Sequence, residues 1–554
     1  MHTPVSLIKG EDRFFGKEVP MPIMTGGQAL IRSLYLEGVR VIFGLPGVQL
    51  YHAMDALYDH PEIRFLTTRH EQATTYMADG FSRAGGGIGT AMVVPGPGLL
   101  NASSGISTAY AASSPLLVVS GQIERDLIGK SRGMLHEVND QLDSIRPITK
   151  SARRVLDPAE IPEAVHQCFY RLKTGRPRPV EIEVPPETLA QEADIDLMEP
   201  GDHRRPPASQ EAIQQAAKIL AQAANPLIWA GGGVISSGAS DALQKVAEHL
   251  QAPVITTAEG KGAISDRHPL ALGALRLRND PIAKEPPNFD VILAMGTRLA
   301  FPAWLDGQRV VQIDIDDEEV GRNYENTFGL VGDARGTLEG LYQAISTATP
   351  ARPSRAAKVA DLRERRSRTA LRVEPQETLI AAVRSAVPDD GILISGMTQM
   401  GYYARAFYPV YQPRTFITSS YSGNLGYAFP VALGAKVAQP DKAVVALAGD
   451  GGFLFNSQEL ATAVQYGMNA VVVVFNDNAY GNVLRDQVNR FRGRAIGAEL
   501  HNPDFMKLAE AYGARGMRAE GPDELESSIK DAIAGNRPTL IEVPVQMMPT
   551  PFEG

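Results

Sequence analysis

Two groups of oxygen-bearing residues near the C-terminus are the first candidates for chemistry in this chain. Asp450 stands in a glycine-rich turn, Gly-Asp-Gly-Gly at 449–452, directly after the apolar run 444–448. The polar triplet Asn-Asp-Asn at 476–478 follows a second apolar run at 470–475. Both runs have the length and the β-branched content of buried strands. Each polar group is therefore predicted to stand just beyond the end of a strand.

The segment between the two runs is predicted to be a helix. Asn456 is its predicted N-cap, Glu459 follows in the spacing of a capping box, and Gly467 is predicted to end the helix. Strand, helix and strand in this order form a right-handed crossover in a parallel sheet. Both strand ends then meet at one carboxyl edge, where open α/β sheets bind ligands.

Carboxylate and amide oxygens gathered at such an edge suit a hard divalent cation. Asp450, the triplet at 476–478 and nearby backbone carbonyls are predicted to bind Mg²⁺ that also holds a phosphate group. Backbone N–H groups of the glycine-rich turn and of the helix start would donate to the same phosphate. An exposed carboxylate in a tight turn is the alternative for Asp450, but it does not account for the second polar group.

The composition indicates an ordinary globular protein. The chain of 554 residues is 44% hydrophobic and 21% charged, and its net charge of −9 argues against a nucleic-acid-binding surface. The single cysteine, Cys168, leaves no internal disulfide bond and fits a cytoplasmic protein. No apolar run approaches the ~18 residues of a transmembrane helix. Residues 1–22 lack the apolar core of a signal peptide, and we interpret them as an N-terminal extension.

Alternating helical and strand-like segments predict an α/β protein with three doubly wound parallel-sheet domains. The first domain is predicted to span 23–190, the second 205–350 and the third 375–554. A linker rich in proline and acidic residues separates the first two, and the segment TATPARPSR at 347–355 precedes the third.

The glycine-rich turn and the following asparagine-containing pair resemble the cofactor motif of thiamine diphosphate (ThDP) enzymes. Most of the chain resembles enzymes of the acetolactate synthase type. The segments that carry this resemblance include GLPG (44–47), RHEQ (69–72), PGPGLLN (95–101), SRGMLHEVND (131–140) and PRTFITSSYSGNLGYAFP (413–430). Asp477 stands where the family usually carries Asn, which adds a negative charge beside the diphosphate.

The resemblance implies that the first domain binds the cofactor's pyrimidine, the third binds its diphosphate, and the central one is nucleotide-binding-like. Asp450, Asp477 and the backbone carbonyl of Ala479 would hold Mg²⁺. Glu71 would hydrogen-bond the aminopyrimidine ring and promote the ylid, although the residues alone also allow a helix-capping role. Leu425 would bend the cofactor into its V shape, unless it is an ordinary buried leucine. The other residues assigned to the cofactor are Pro46, Gly47, Gln399, Asn424, Gly449, Gly451, Gly452, Asn476 and Tyr480.

The substrate side departs from the family pattern. Leu135-His136-Glu137 stands where acetolactate synthases have Phe-Gln-Glu. His136 is therefore either an ordinary histidine or a general acid/base beside the cofactor. Tyr421 replaces the usual Gly and Asp486 the typical Trp. These differences predict a different acceptor pocket.

The central domain has features of a nucleotide site. The turn Gly-Gly-Gly at 231–233, together with Asp314 and Asp316, would hold a nucleotide as FAD is held in acetolactate synthases. The family's flavin-side segments are missing, since other residues stand at 274–279 and 301–303. Bound FAD is therefore not expected.

The resemblance implies a ThDP- and Mg²⁺-dependent enzyme that decarboxylates a 2-oxo acid through a ylid and an enamine and then forms a new carbon–carbon bond. The alternatives within the family are a decarboxylase similar to benzoylformate or oxalyl-CoA decarboxylase, and a cyclic-dione hydrolase. A catalytically silent, nucleotide-binding regulatory subunit is the alternative outside enzymes, and Glu71 and the turn at Asp450 argue against it. Because these two residues lie on different domains, the resemblance implies that they meet between subunits of a homodimer or homotetramer. We expect neither a nucleic-acid nor a membrane partner.

Overall fold

The computed structural model describes residues 23–275, 288–300, 305, 307–369 and 373–550. The predicted N-terminal extension, 1–22, lies outside these residues, as do most of the segments that argue against FAD. Within the described ranges, no helix combines the length and the apolar character needed to span a bilayer.

The N-terminal unit is built on a parallel sheet. Its strands are β1 (Ile23–Thr25), β2 (Val41–Gly44), β3 (Arg64–Thr67), β4 (Gly89–Val93), β5 (Leu116–Gly121), β6 (Ser151–Arg154), β7 (Val180–Val184) and β8 (Glu192–Asp194). Its helices are α1 (Gly26–Leu36), α2 (Tyr51–Tyr58), α3 (Glu71–Phe81), α4 (Pro97–Ala112), α5 (Gln141–Ile145), α6 (Ile161–Lys173) and α7 (Pro186–Ala190). Six strands form the sheet in the order β3-β2-β4-β5-β7-β6, while β1 and β8 pair antiparallel with each other. Strands β4, β5 and β7 are buried along their whole length, as in a sheet covered on both faces.

The central unit repeats this architecture. Its strands are β9 (Pro226–Ala230), β10 (Val254–Thr256), β11 (Ala271–Ala274), β12 (Val291–Met295), β13 (Arg309–Asp314) and β14 (Thr327–Val331). Its helices are α8 (Gln210–Gln222), α9 (Gly232–Ser236), α10 (Ser240–Leu250) and α11 (Ala334–Ala348), and α12 (Ala356–Thr369) leads to the third unit. The described strands form a parallel sheet in the order β11-β10-β9-β12-β13-β14.

The C-terminal unit carries the third parallel sheet. Its strands are β15 (Ile392–Ser395), β16 (Phe416–Thr418), β17 (Val444–Gly449), β18 (Val471–Asn476), β19 (Arg515–Arg518) and β20 (Thr539–Pro544). Its helices are α13 (Gln376–Ala386), α14 (Gln399–Phe407), α15 (Ala428–Ala438), α16 (Asp450–Leu454), α17 (Glu459–Tyr466), α18 (Gly481–Arg490), α19 (Phe505–Ala511) and α20 (Pro522–Ala534). The strand order is β16-β15-β17-β18-β20-β19. The predicted fold class, an α/β protein with three parallel-sheet units, is confirmed.

The first and third sheets share one hydrophobic core through α3 and α15. Two glycines allow the backbones of these helices to touch. A Cβ atom at Gly80 would lie 2.1 Å from the carbonyl oxygen of Val431, and one at Gly434 would lie 1.9 Å from that of Met77. A side chain at either position would push the helices apart. This contact fixes the position of the turn before α3 relative to the third sheet.

The helix predicted between the two polar groups is in fact two helices, α16 and α17, and the predicted capping box is wrong. Among the described residues, no side chain caps α17. Asn456 is fully buried and donates from Nδ2 to the carbonyl oxygen of Gly426 at 2.9 Å and to Oε1 of Gln72 at 3.0 Å. Gly467 ends α17 in the left-handed conformation, with φ of 63°, as the sequence predicts.

Candidate active site

The ends of β17 and β18 lie side by side. The two strands pair in parallel with Gly449 opposite Phe475. The chain leaves β17 at Asp450 and leaves β18 through Asn476 and Asp477. Both carboxylates therefore reach the same carboxyl edge of the third sheet, as the strand–helix–strand pattern predicts.

Asp450 and Asp477 are neighbouring acids, of which Asp450 is buried and Asp477 partly buried. Burial raises the pKa of Asp477 to about 6, with a further contribution from the negative charge of Asp450. Burial also raises the pKa of Asp450, which is only 1% exposed. Two neighbouring carboxylates in this setting repel each other, and a divalent cation bound to both would offset the repulsion. The donor set fits Mg²⁺.

Asn502 orients this group, and sequence reasoning missed it. Its Nδ2 donates to Oδ2 of Asp450 at 2.6 Å and to Oδ1 of Asn476 at 2.9 Å. Asn502 comes close because the preceding segment bonds to the loop after β18, with Leu500 N donating to the carbonyl oxygen of Asn478 at 2.7 Å. No periodicity or spacing in the sequence signals this long-range contact.

A cavity of about 240 Å³ opens beside the carboxylates. The cavity is lined by nine of the residues predicted to bind cofactor or metal, namely Gln399, Leu425, Gly449, Asp450, Gly451, Gly452, Asp477, Ala479 and Tyr480. Three polar side chains that the sequence did not single out, those of Thr398, Tyr402 and Asn482, also line it.

Gln399 presents an acceptor that has no donor. Its Nε2 donates to Oδ1 of Asn482 at 3.0 Å, and Nη2 of Arg485 donates to the same Oδ1 at 2.6 Å. Its Oε1 is buried and accepts no hydrogen bond from the residues described. An unsatisfied buried acceptor costs about 1–3 kcal/mol, so this oxygen is suited to a donor on a ligand.

Two glycines give the cavity its shape. A Cβ atom at Gly451 would lie 2.6 Å from Cε1 of Tyr480, so a side chain there would collide with the tyrosine ring. A Cβ atom at Gly481 would lie 2.1 Å from Oδ2 of Asp477. Both positions need glycine because neighbouring side chains occupy the space that a Cβ would fill.

Two predicted cofactor residues in the third unit point elsewhere. Asn476 accepts from Asn502 and donates from Nδ2 to Oε1 of Glu542 at 2.8 Å. Asn424 donates from Nδ2 to the carbonyl oxygen of Ser104, on α4, at 3.3 Å. Neither residue lines the cavity, and their role in binding a cofactor stays a prediction.

Glu71 stands at the carboxyl edge of the first sheet, as the first residue of α3. His70 caps this helix, since its Nδ1 accepts from the backbone N–H of Gln72 at 3.1 Å. Nδ2 of Asn101 donates to Oε2 of Glu71 at 3.1 Å. Pro46 and Gly47 follow the neighbouring strand β2 at the same edge. The helix cap is thus provided by His70, which leaves the Glu71 carboxylate available for another role.

Glu459, the residue wrongly assigned to a capping box, holds the turn before Glu71. Its Oε1 accepts from the backbone N–H groups of Arg69 and His70, each at 3.1 Å. Its Oε2 accepts from the hydroxyl of Thr462 at 2.6 Å. The side chain is fully buried, and this burial raises the pKa of Glu459 to about 7. The third unit therefore positions the turn that carries Glu71.

His136 lies beside the turn that contacts Glu71. Its Nδ1 is 3.2 Å from Oε1 of Gln49, and its backbone adopts a positive φ of 70°. A Cβ atom at Gly96 would lie 2.1 Å from the carbonyl oxygen of His136, while one at Gly98 would lie 3.8 Å from Oε1 of Glu71. Both predicted catalytic residues thus flank the 96–98 turn.

Within one chain, the described residues that line the cavity at Asp450 all belong to the third unit. No residue of the first sheet's edge lines the cavity at Asp450. The two residues predicted to shape an acceptor pocket do not line it either. Tyr421 lies under the guanidinium of Arg298, 4.2 Å from the ring centroid, and Asp486 forms an ion pair with Arg490 at 3.6 Å.

The predicted nucleotide site of the central unit lies along a cavity of about 490 Å³. Gly232, Gly233 and Asp314 line it, and burial raises the pKa of Asp314 to about 6. Gly231 lets the turn approach β12, because a Cβ there would lie 2.2 Å from the carbonyl oxygen of Gly296. Asp316 instead forms an ion pair with Arg176 at 3.6 Å.

Comparison with known proteins finds three domain families, one for each parallel-sheet unit. Family models described as thiamine pyrophosphate enzyme N-terminal TPP binding, central and C-terminal TPP binding domains match residues 24–144, 213–341 and 396–543. A probable acetolactate synthase large subunit of Methanocaldococcus jannaschii is 36% identical over 95% of this chain and 93% of its own. A probable 2-ketoarginine decarboxylase of Pseudomonas aeruginosa is 36% identical over 95% and 94%. The acetolactate synthase isozyme 3 large subunit of Escherichia coli is 32% identical over 95% of both chains.

Proposed function

Because the chain belongs to the thiamine pyrophosphate enzyme family, we propose that it is a ThDP- and Mg²⁺-dependent carboligase that decarboxylates a 2-oxo acid and joins the remaining acyl fragment to a second carbonyl compound. The observation that carries the proposal is the cavity where Asp450 and Asp477 meet beside the glycine-rich turn. The relatives named acetolactate synthase support the ligation step. A catalytically silent subunit is set aside, because the family consists of ThDP-dependent enzymes.

The cavity of the third unit would hold the diphosphate end of the cofactor. Asp450, Asp477 and the carbonyl oxygen of Ala479 are the proposed ligands of Mg²⁺, which would supply positive charge for the diphosphate. Oε1 of Gln399, a buried acceptor without a donor, supports binding of a polar ligand in the same space. When bound, ThDP supplies the electron sink that decarboxylation of a 2-oxo acid requires.

Glu71 is the proposed proton-transferring group. Asn101 donates to its Oε2, and no described residue donates to its Oε1. Oε1 is therefore the atom that would hold and return a proton at the pyrimidine ring of the cofactor. Glu459 serves this step from a distance, because it binds the backbone N–H groups of the turn in front of Glu71.

The active unit is proposed to be a homodimer, alone or paired into a tetramer. Glu71 and Asp450 belong to different sheet edges, and the cavity at Asp450 has a volume of only about 240 Å³. Sites for whole ligands usually enclose about 300–1,000 Å³. A second chain that brings its first-sheet edge to this cavity would complete a site of adequate size, with both edges contributing.

A simple decarboxylase is the second candidate. The relative named as a probable 2-ketoarginine decarboxylase favours it, since it matches nearly the whole chain. His136, beside the turn that contacts Glu71, would then be the acid that delivers a proton in place of a second carbonyl compound. The 2-oxo acid would also differ from the small donor of acetolactate synthases.

A product assay separates the two candidates. The purified protein is incubated with ThDP, Mg²⁺ and a panel of 2-oxo acids, from pyruvate to 2-oxo acids with a guanidinium side chain. A carboligase releases carbon dioxide and forms a 2-hydroxy-3-oxo compound, while a decarboxylase releases carbon dioxide and an equal amount of aldehyde. Carbon dioxide release that is unaffected by omission of ThDP would contradict both candidates.

A further inference from the structure

Three residues with metal-binding side chains converge away from the candidate active site. Glu37 follows α1, His166 lies on α6, and His203 lies in the linker between β8 and α8. One ligand atom from each lies within 4.8 Å of the other two. None of the three lines the cavity at Asp450.

The surroundings of His203 leave one of its nitrogens free. The linker is fastened at Arg205, whose Nε donates to the carbonyl oxygen of Lys173, at the end of α6, at 2.8 Å. The ring of His203 packs edge-on against Tyr170 with centroids 5.4 Å apart. Its Nε2 is buried and has no hydrogen-bond partner among the described residues. Buried polar atoms usually have a partner, so this nitrogen is available to a ligand.

Gly201 provides the space for the two imidazole rings. A Cβ atom there would lie 2.4 Å from Cε1 of His203 and 3.2 Å from Cε1 of His166. The rings of His166 and His203 have their centroids 5.4 Å apart. A larger residue at this position would displace the His203 ring from the group.

Glu37 can bind a cation through one carboxylate oxygen while the other keeps its ion pair with Lys173. Its side chain is 3% exposed, with Oε1 at 3.0 Å from Nδ1 of His166 and Oε2 at 2.9 Å from Nζ of Lys173. A cation bound by Oε1 and Nδ1 would leave the ion pair between Oε2 and Lys173 in place.

We propose that Glu37, His166 and His203 form a zinc site. Two neutral imidazoles and one carboxylate are a common ligand set for Zn²⁺ and leave a fourth position for water. Ligand atoms of a tetrahedral zinc site lie about 3.3 Å apart, given bonds of about 2.0–2.1 Å. The three ligand atoms now lie within 4.8 Å of one another, so binding requires them to move together by up to about 1.5 Å. The ion ties the linker to α1 and α6 and so stabilises the junction between the first and central units.

The test measures zinc and cobalt binding to the full-length protein with ThDP and excess Mg²⁺, which keep the acidic site at Asp450 filled. The protein is first freed of transition metals by a chelator. We expect one Zn²⁺ per chain, an increase in Tm with Zn²⁺, and visible absorption bands of tetrahedral Co²⁺. His203→Ala is expected to weaken Zn²⁺ binding by about 100-fold or more, with the metal-free Tm unchanged. His52→Ala, at an exposed histidine on α2, is the matched control and keeps wild-type binding.

A second variant keeps the proposal testable if His203→Ala does not fold. Gly201→Ala removes no ligand, and it is expected to weaken Zn²⁺ binding because its Cβ would displace the His203 ring. A wild-type protein that binds no Zn²⁺ more tightly than about 10⁻⁵ M would overturn the proposal, since structural zinc sites bind the ion far more tightly than this. Equal binding by His203→Ala and His52→Ala would also overturn it.

Discussion

Replacing Glu459 with glutamine should change how the stability of the protein depends on pH. Glu459 is fully buried and bonds to the backbone N–H groups of Arg69 and His70 and to the hydroxyl of Thr462. The glutamine side chain would keep one oxygen for the two N–H groups but would not ionise. The variant therefore removes the cost of a buried charge while the turn before Glu71 keeps its acceptor.

The magnitude follows from the pKa of Glu459, which burial raises from its ordinary 4.5 to about 7. Because the folded state holds the proton at higher pH than the unfolded state, this group favours folding below about pH 4.5, and that contribution is lost as the pH rises through about 7. The difference in pKa corresponds to about 3 kcal/mol. The difference in unfolding free energy between the Glu459→Gln variant and wild type should thus change in favour of the variant by about 3 kcal/mol as the pH rises from about 4.5 to 8.5.

The assay records thermal unfolding of wild type and Glu459→Gln across this pH range. Glu510→Gln, at an exposed glutamate on α19, serves as the control whose Tm difference from wild type stays constant with pH. Infrared spectroscopy provides a second measurement, since the wild-type minus variant difference spectrum should contain a protonated carboxyl band that disappears near pH 7. A Tm difference that does not change with pH, or that changes equally in the Glu510→Gln control, would refute the reasoning.

Three further predictions concern the candidate site. Glu71→Gln should lower kcat by about 10²–10⁴-fold while ThDP binding persists, because it removes a proton-transferring group; steady-state kinetics and calorimetry would check this, and unchanged kcat would contradict the role. Asn502→Ala should weaken Mg²⁺ binding by about 10–100-fold, because Asn502 orients Asp450 and Asn476. A titration of activity with Mg²⁺ measures the change, and an unaltered midpoint would exclude this role for Asn502. Gly451→Ala should raise the Kd for ThDP, since its Cβ would meet the ring of Tyr480; wild-type affinity in calorimetry would show that this space is not needed.

Local patterns were enough to predict the core of the third unit. The apolar runs 444–448 and 470–475 are the buried strands β17 and β18, because only a sheet covered on both faces accommodates such continuous valine-rich segments. Gly467 ends α17 with a positive φ, which glycine adopts without strain. Once both strands were identified, parallel pairing placed Asp450 and Asp477 at one edge.

Local sequence patterns do not predict contacts between residues that are distant in the chain. The spacing of Asn456 and Glu459 fits a capping box, yet Glu459 binds the turn at Arg69 and His70, which is distant in sequence. Asn502 reaches Asp450 only because its segment folds back along the loop after β18. Tyr421 is predicted at an acceptor pocket because it replaces the family's usual Gly, and that role stays a prediction; the contact of its ring with the Arg298 guanidinium has no signal in the sequence. In each case the partner is set by tertiary packing, which carries no local signal.

The assembly of the site from two chains is tested most directly by mixing two inactive variants. Glu71→Gln and Asp450→Ala are each expected to be nearly inactive alone, and they are combined in equal amounts by co-expression or by joint refolding. If Glu71 of one subunit serves Asp450 of its partner, a mixed dimer carries both lesions in one site and neither in the other. Random pairing in a two-fold dimer then restores about one quarter of wild-type activity. Activity no higher than that of the separate variants, with mixed dimers shown to form, would contradict a site shared between subunits.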